Sequence, residues 1–434
     1  MAHTRRVLLG ATAALAAGAP SIRQVLAQNR DGSRTPPLPL RIGCVTALTG
    51  PQEVIGRPIL DGASIAADQV NAMGGVLGRP VEIVPVDIHA DPALGQAAMR
   101  DLARLGVNLM CGIVTSDVGL ALAPLLAPAN AVMMVCSAQS EKLTHEAFTP
   151  NLFRITDQTY MRNRAQARLM AERYPDVTDW AAIIPDVEYG RSAYAAFRDG
   201  LMEYYPKLAR RDATFAAPIL ADFGATDFTQ QLAKLKAGGH RGLFVAVYGG
   251  DAMGLYKQAR EAGLMDQLQV LADSYNEFLV PLELGDATPE HLWLAMTWYY
   301  GGYRSAVSRE LYADYVHRTG NAMPPGFVST GHAAVHAYAK AVRLAGSSET
   351  KPVIKALEGM VLDTAKGTLT LRAQDHQAVC DVNFVRIKSG PELGMDVLDG
   401  IRCDVEVAEF VRYDGADVIE PPSPGQAISY RAKG

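Results

Sequence analysis

RIGCVTALTGPQEVIGRPILDGASIAADQVNAMGG, residues 41–75, decides the reading of the chain. Arg41 to Leu48 is a short, nearly continuous apolar run with β-branched members, the pattern of a strand buried on both faces. From Pro58 to Met73 the residues Ile59, Ala63, Ala66, Ala67 and Val70 recur at helical spacing, which predicts a helix starting at Pro58 with one face on a core. A buried strand followed by an amphipathic helix is the repeating unit of a parallel β-α-β sheet.

Working outward, the unit recurs. Strands are predicted at 81–88, 107–114 and 131–136, with helices at 92–105 and from near Ser116. After Phe153 to Thr156 the pattern restarts: helix to Tyr174, strand 180–184, helix 189–205, strand near Thr214, helix 228–237, strand 242–247, helix 252–262, strand 268–272. An apolar run at 292–300 and helices at 309–318 and 328–344 follow. Gly367 to Leu371 and Val382 to Ile387 then look like antiparallel strands. This gives α/β architecture with two doubly wound, Rossmann-like lobes of similar length. No low-complexity linker separates them, so the chain is expected to pass between them more than once.

Composition agrees with a folded protein of two or three domains. The chain has 434 residues, 49% hydrophobic and 20% charged, with a formal net charge of -5. A mildly acidic chain argues against a nucleic-acid partner, which would require a basic face. Residues 1–27 read as an export signal, because Arg5-Arg6 precede the uncharged run 7–19 and Val25-Leu26-Ala27 offers a small-residue cleavage site. The pair within Thr4 to Leu9 has the form of a twin-arginine signal, with an ordinary secretory signal carrying two adjacent arginines as the alternative. A mature chain beginning near Gln28 and located in the periplasm is the expectation.

Five cysteines then face an oxidising compartment. Cys44, Cys111 and Cys136 lie in apolar strand-like runs and read as buried small hydrophobes. Cys380 and Cys403 fall in a more polar region, and a disulfide between them is the expectation. Neither a G-x-S-x-G elbow nor H-E-x-x-H nor a phosphate loop is present, so no enzyme and no cofactor is predicted. Gly74 to Gly78 follows a helix and precedes a strand, which makes it a turn. His332 and His336 share one helix face, but Ala333, Ala334 and Ala337 around them favour a packed helix, and no metal site is assigned. Asp375-His376-Gln377 reads as a turn network.

Polar residues at the carboxyl ends of the predicted strands remain, where open α/β sheets bind ligands. They are Thr49-Gly50-Pro51 with Ile55-Gly56, Thr115-Ser116-Asp117, Ser137-Ala138-Gln139, Asp186 to Gly190 with Tyr189, Tyr248-Gly249-Gly250-Asp251, and Asp273-Ser274-Tyr275. Helix capping alone would explain Ser116 and Ser137. Six such loops from two lobes point further, to a crevice.

Leu48-Thr-Gly-Pro51, the D-G-x3-A-x3-V-N-A-x-G-G run from Asp61 to Gly75, Tyr189-Gly190, and Gly249-Gly250-Asp251 through Leu264 resemble the type I periplasmic binding proteins, in particular the Leu/Ile/Val-binding proteins of ABC importers. The resemblance runs from about Leu40 to Gln377. It implies two lobes, 38–156 plus 299–366 and 157–298 plus 367–434, joined by a three-segment hinge crossing near Thr156, Trp298 and Gly367. It implies a solute-binding protein that delivers a small organic ligand to ABC transporter permease subunits at the membrane. The ligand carboxylate would be held by Thr115, Ser116, Ser137, Ala138 and Gln139, with Tyr189 closing from the other lobe. Ile55 replaces the aromatic residue of the family's first loop. The glutamate that would meet an α-ammonium falls near Ser274, beside Asp273, and Asp251 lies in the third loop. If Asp273 cannot substitute, aromatic or aliphatic carboxylates become the expected ligands, alongside branched-chain amino acids. A periplasmic sensor of small amides or carboxylates, acting on a receptor or regulator, is the alternative.

Overall fold

The computed structural model describes residues 37–388, 396–398, 401–403, 405–428 and 430. The signal sequence expected at 1–27 lies outside them. Strand β1 (Leu40–Thr46) is buried at every position but Arg41. It runs parallel to β2 (Val81–Asp87) on one side and β3 (Leu109–Gly112) on the other. With β4 (Val132–Val135) and β5 (Leu152–Arg154) these strands form a parallel sheet in the order β2-β1-β3-β4-β5. The chain turns one way from β1 and the other way at β3, so a crevice opens at the carboxyl ends of this pair.

Helices α1 (Glu53–Ala72), α2 (Pro92–Arg104) and α3 (Ser116–Leu126) connect the strands. Helix α1 begins at Glu53 rather than at the expected Pro58. Proline removes one N–H donor from the helix. The extra turn in return buries Ile55 and lets Gly56 lie on Ala47, whose carbonyl oxygen would stand 1.8 Å from any Cβ there.

After β5 the chain crosses through α4 (Thr159–Arg173) to a second sheet. Its strands β6 (Asp179–Pro185), β7 (Thr214–Phe215), β8 (Ile219–Ala221), β9 (Gly242–Val245), β10 (Val270–Asp273) and β11 (Leu292–Met296) are parallel. Helices α5 (Glu188–Tyr204), α6 (Thr229–Gly238), α7 (Gly250–Glu261) and α8 (Leu279–Leu284) link them. The chain then returns to the first sheet as α9 (Ala306–Thr319), α10 (Phe327–Ala345) and α11 (Thr350–Leu357). Helices α1 and α10 touch backbone to backbone: a Cβ on Gly62 would lie 1.9 Å from the Val328 oxygen, and one on Gly331 2.0 Å from the Ile59 oxygen.

A small antiparallel sheet follows, β12 (Val361–Thr364), β13 (Gly367–Leu371) and β14 (Ala378–Val379). The third passage therefore lies beyond Gly367, between β13 and β15 (Val382–Lys388). There Gln377 bridges to Arg154, and the Arg154 guanidinium donates to the Gln377 side-chain oxygen at 2.5 Å. The expected turn network at 375–377 is thus buried in the passage itself. Strand β15 adds antiparallel to β11. Strands β16 (Asp396–Leu398) and β17 (Ile401–Cys403) pair with each other, and β18 (Glu406–Tyr413) closes the edge beside β15.

The segment after β18 returns to the loop between β4 and β5. Gly425 N–H donates to the His145 carbonyl at 2.6 Å, His145 Nε2 lies 2.9 Å from Glu420 Oε1, and Arg372 donates to the Glu420 carbonyl at 2.6 Å. Cys44, Cys111, Cys136 and Cys380 are buried free thiols. Cys380 packs beside Lys366 and Asp157, so the polar, bridge-forming position expected for it is in fact an interior one. The side chain of Cys403 lies outside the described residues.

Candidate functional site

Parallel strands end in backbone N–H groups and helix N-termini, so their carboxyl edges collect polar side chains. In this protein the carboxyl edges of the two sheets meet. Gly250 N–H donates to the Pro51 carbonyl at 2.8 Å, Ser140 Oγ donates to Glu188 at 3.0 Å, and Lys142 Nζ pairs with Glu188 at 2.8 Å. The crevice is therefore in a closed arrangement.

Ser137, just past β4, is 1% exposed. Its hydroxyl shares a short hydrogen bond with the Tyr275 hydroxyl, which also donates to the Ser137 carbonyl at 3.1 Å. Tyr189, in the first turn of α5, shares a 2.9 Å hydrogen bond with Ser274 Oγ. Tyr248 follows β9. The three rings meet with centroids 5.1 Å (189–248), 5.0 Å (189–275) and 5.3 Å (248–275) apart, tilted or edge to face. Such arrangements are favoured over flat stacking because ring edges are positive and faces negative. Burial pushes all three phenols up, so they remain neutral hydrogen-bonding groups.

Beneath the rings lies a buried ionic layer. Arg162 on α4 holds Asp157 through two nitrogens at 2.6 and 3.0 Å, and reaches Thr297 Oγ1 at 3.1 Å and the Ser274 carbonyl at 3.3 Å. The Gln139 side-chain oxygen, oriented by these donors, faces the guanidinium at 3.1 to 3.2 Å. Burial opposes ionisation of Asp157, but Arg162 and Lys366 hold its carboxyl down at about 2.

Asp273 is turned inward. Its Oδ1 accepts from the N–H groups of Tyr275 and Asn276 at 2.9 and 2.7 Å, and its Oδ2 from Tyr256 OH and Asn276 Nδ2, both at 2.7 Å. Four donors fill the usual capacity of a carboxylate.

Other polar groups at the first sheet's edge lack protein partners. Thr115 Oγ1, Thr46 Oγ1 and both amide atoms of Gln52 are buried without a hydrogen bond. An unpaired buried polar group destabilises by about 1–3 kcal/mol. At a strand-end crevice, water or a ligand supplies the missing partners of such atoms.

The sequence-expected residues thus divide. Ser137, Gln139, Tyr189 and Ser274 converge, joined by Tyr248 and Tyr275. Ser116 Oγ accepts from the Ser140 N–H at 3.1 Å, and the Ala138 N–H donates to the Ile113 carbonyl at 3.2 Å, so both brace the first sheet's loops. Asp251 accepts from the Gly224 N–H at 2.7 Å and acts on the neighbouring Tyr248 phenol only through its charge, and Ile55 faces the core. Gln52, Arg162 and Asn163 escaped the sequence reading. The last two lie on α4, which buries Arg162, Asn163 and Gln166 beside the apolar Met161, Ala165 and Leu169, so its polar side turns inward where an amphipathic pattern would place solvent. Asn163 Oδ1 accepts from Ser274 Oγ at 2.6 Å.

A family model described as periplasmic binding protein matches residues 39–391. Among curated proteins, Leu/Ile/Val-binding protein homolog 3 of Brucella melitensis is 25% identical over 338 residues, covering 76% of this chain and 86% of that protein. The structure resembles an amino acid ABC transporter substrate-binding protein of Pseudomonas fluorescens Pf-5, with TM-score 0.74, 18% identity, and coverage of 90% of this chain and 99% of that one. It also resembles an ABC transporter solute-binding protein of Rhodopseudomonas palustris BisB5 in complex with 3,4-dihydroxybenzoic acid, with TM-score 0.72, 20% identity, and coverage of 86% and 97%.

Proposed function

We propose that this chain, which belongs to the periplasmic binding protein family, binds a small aromatic or aliphatic carboxylate without an α-ammonium group and presents it to the permease of an ABC importer. Its relatives are solute-binding proteins rather than members of an enzyme class. The carrying observation is Asp273: the acidic residue best placed to meet an ammonium is saturated by four internal donors. The surroundings support the same ligand class. Three neutral tyrosines present ring faces and edges, while Ser137, Thr115 and Gln52 supply hydroxyl and amide groups for a carboxylate.

In this reading the lobes are 38–156 plus 299–379 and 157–298 plus 380–434, hinged at the three passages, the last boundary following β14 because β12, β13 and β14 pair as one sheet. A carboxylate bridging Ser137 and the tyrosines stabilises the closed form by its difference in affinity between the two states. Each hydrogen bond to the charged group contributes ~1.5–3 kcal/mol, so a few give micromolar binding.

Calorimetry on the purified mature protein tests this. Benzoate or a hydroxybenzoate is expected to bind, leucine to bind far more weakly, and Ser137→Ala to weaken the carboxylate about tenfold or more. Tight leucine binding with no benzoate binding would overturn the ligand class, and an unaffected Ser137→Ala variant would overturn the site.

A further inference from the structure

Away from the crevice, helices α1 and α10 bring three donor atoms to one point. Gln69 Oε1 lies 2.8 Å from His332 Nε2 and 3.1 Å from His336 Nε2, and the two imidazole nitrogens are 3.1 Å apart. The backbone contact at Gly62 and Gly331 fixes the spacing of the two helices, and with it the distance from Gln69 to the histidine pair. His332 is 2% exposed, while His336 is partly open to a groove of about 480 Å³.

Hydrogen bonds alone do not satisfy this triangle. Gln69 Oε1 only accepts, and its amide is held in that orientation because Gln69 Nε2 donates to Asp314 Oδ2 at 2.8 Å. If both histidines carry a proton on Nε2, two N–H groups face each other. If only one does, the bare lone pair of the other faces the amide oxygen. His332 Nδ1 is buried without a partner, so nothing fixes the tautomer from the far side of the ring. A cation shared by the three lone pairs removes the conflict. A six-coordinate metal ~2.1 Å from each of three donors at right angles would set those donors ~3.0 Å apart, close to the separations found, whereas a tetrahedral ion would spread them to ~3.4 Å.

We propose that Gln69, His332 and His336 form a binding site for one divalent first-row transition ion, such as Zn²⁺, Co²⁺ or Ni²⁺, with water completing the shell on the groove side. Imidazole donors suit these ions, and histidines four residues apart on a helix chelate well. Among the described residues no three His, Cys, Asp or Glu side chains converge as a metal cluster. The third protein donor here is an amide oxygen. Glu310 and Asp363 line the groove with Lys340 and Arg343. Lys340 donates to the Val361 carbonyl at 2.6 Å and Arg343 to the Gly75 carbonyl at 2.9 Å. Burial, with the Arg343 charge that still reaches His336, keeps that ring neutral and its lone pair free. The acidic Asp314 sits behind the amide as the outer partner that orients it.

The test uses untagged mature protein, stripped with chelator and titrated with Co²⁺ by absorption spectroscopy and with Zn²⁺ by calorimetry. One equivalent is expected to bind, with visible Co²⁺ bands of an imidazole-containing site. His336→Ala, at a half-buried position, should weaken binding by at least about tenfold, and Gln69→Glu should strengthen it by a similar factor because a carboxylate replaces an amide. Circular dichroism confirms that each variant is folded, and carboxylate binding in the crevice should be unchanged in both. Absence of stoichiometric binding, or equal affinity in wild type and both variants, would overturn the site while leaving the solute-binding reading untouched.

Discussion

Glu277 sits where the second passage between the sheets meets α10. Its carboxylate accepts from the Thr297 N–H at 2.8 Å and the Gly326 N–H at 2.5 Å, with Arg162 among the charges around it. Its backbone is left-handed, at φ 53, an uncommon conformation for a residue with a side chain. Burial nonetheless dominates and pushes the carboxyl up to about 7. In the unfolded chain the same group ionises near its ordinary 4.5. Between those two values the folded protein keeps a proton that the unfolded chain has released, so stability falls as pH rises through that window and levels off above it. The total is on the order of 3 kcal/mol. Urea unfolding between pH 5 and pH 8 should show the wild type losing stability relative to Glu277→Gln, whatever slope the buried histidines, lowered by burial, impose on both proteins. A difference between the two that stays constant across the range would contradict the assignment. The sequence reading could not have found Glu277, since a single glutamate after a strand end looks like a surface residue. The Ser137 and Tyr189 positions were legible because they sit in loops that the strand-helix alternation alone places at one edge.

Among the elements, the α1–α10 pair leaves no room for a side chain at its crossing. Adding one methyl group at Gly62 or Gly331 drives it into the facing backbone, which cannot move aside as a flexible side chain would. Overpacking of this kind destabilises by ~1–3 kcal/mol or more. Gly62→Ala and Gly331→Ala should each lower the denaturant midpoint without changing the slope, measured by chemical unfolding. Gly74→Ala, which meets no neighbour but has a positive φ, separates crowding from backbone strain. An equal loss at Gly74 would mean that the close approach does not govern. The alternation of short apolar strands and helices was legible because buried parallel strands are continuous in hydrophobicity. The start of α1 was not, because the gain from burying Ile55 beyond Pro58 depends on Ala47, which the local pattern does not connect to it. The contact between Arg154 and Gln377 was likewise not legible, since the two residues are distant in sequence and polar.

For the whole molecule, the family places the working protein outside the cytoplasm, and Arg5-Arg6 supply a proposed route. Lysine at both positions should block export if a twin-arginine translocase carries the protein, with the precursor accumulating in the cytoplasm and no mature chain starting near Gln28. Normal export of that double variant, seen by cell fractionation, would refute the route. The strap around Glu420 ties distant parts of the chain together. Glu420 and His145 are 275 residues apart, so the loop between β4 and β5 waits for that part of the chain to be synthesised before its buried imidazole gains an ionic partner. Contacts this distant in sequence form late and slowly. A chain ending before Glu420 leaves the buried His145 ring without both of its side-chain partners, Glu420 and Ser423. The interior around His145 is therefore completed only by the last tenth or so of the polypeptide, so a truncation that removes Glu420 and Ser423 reaches a site far upstream of the cut.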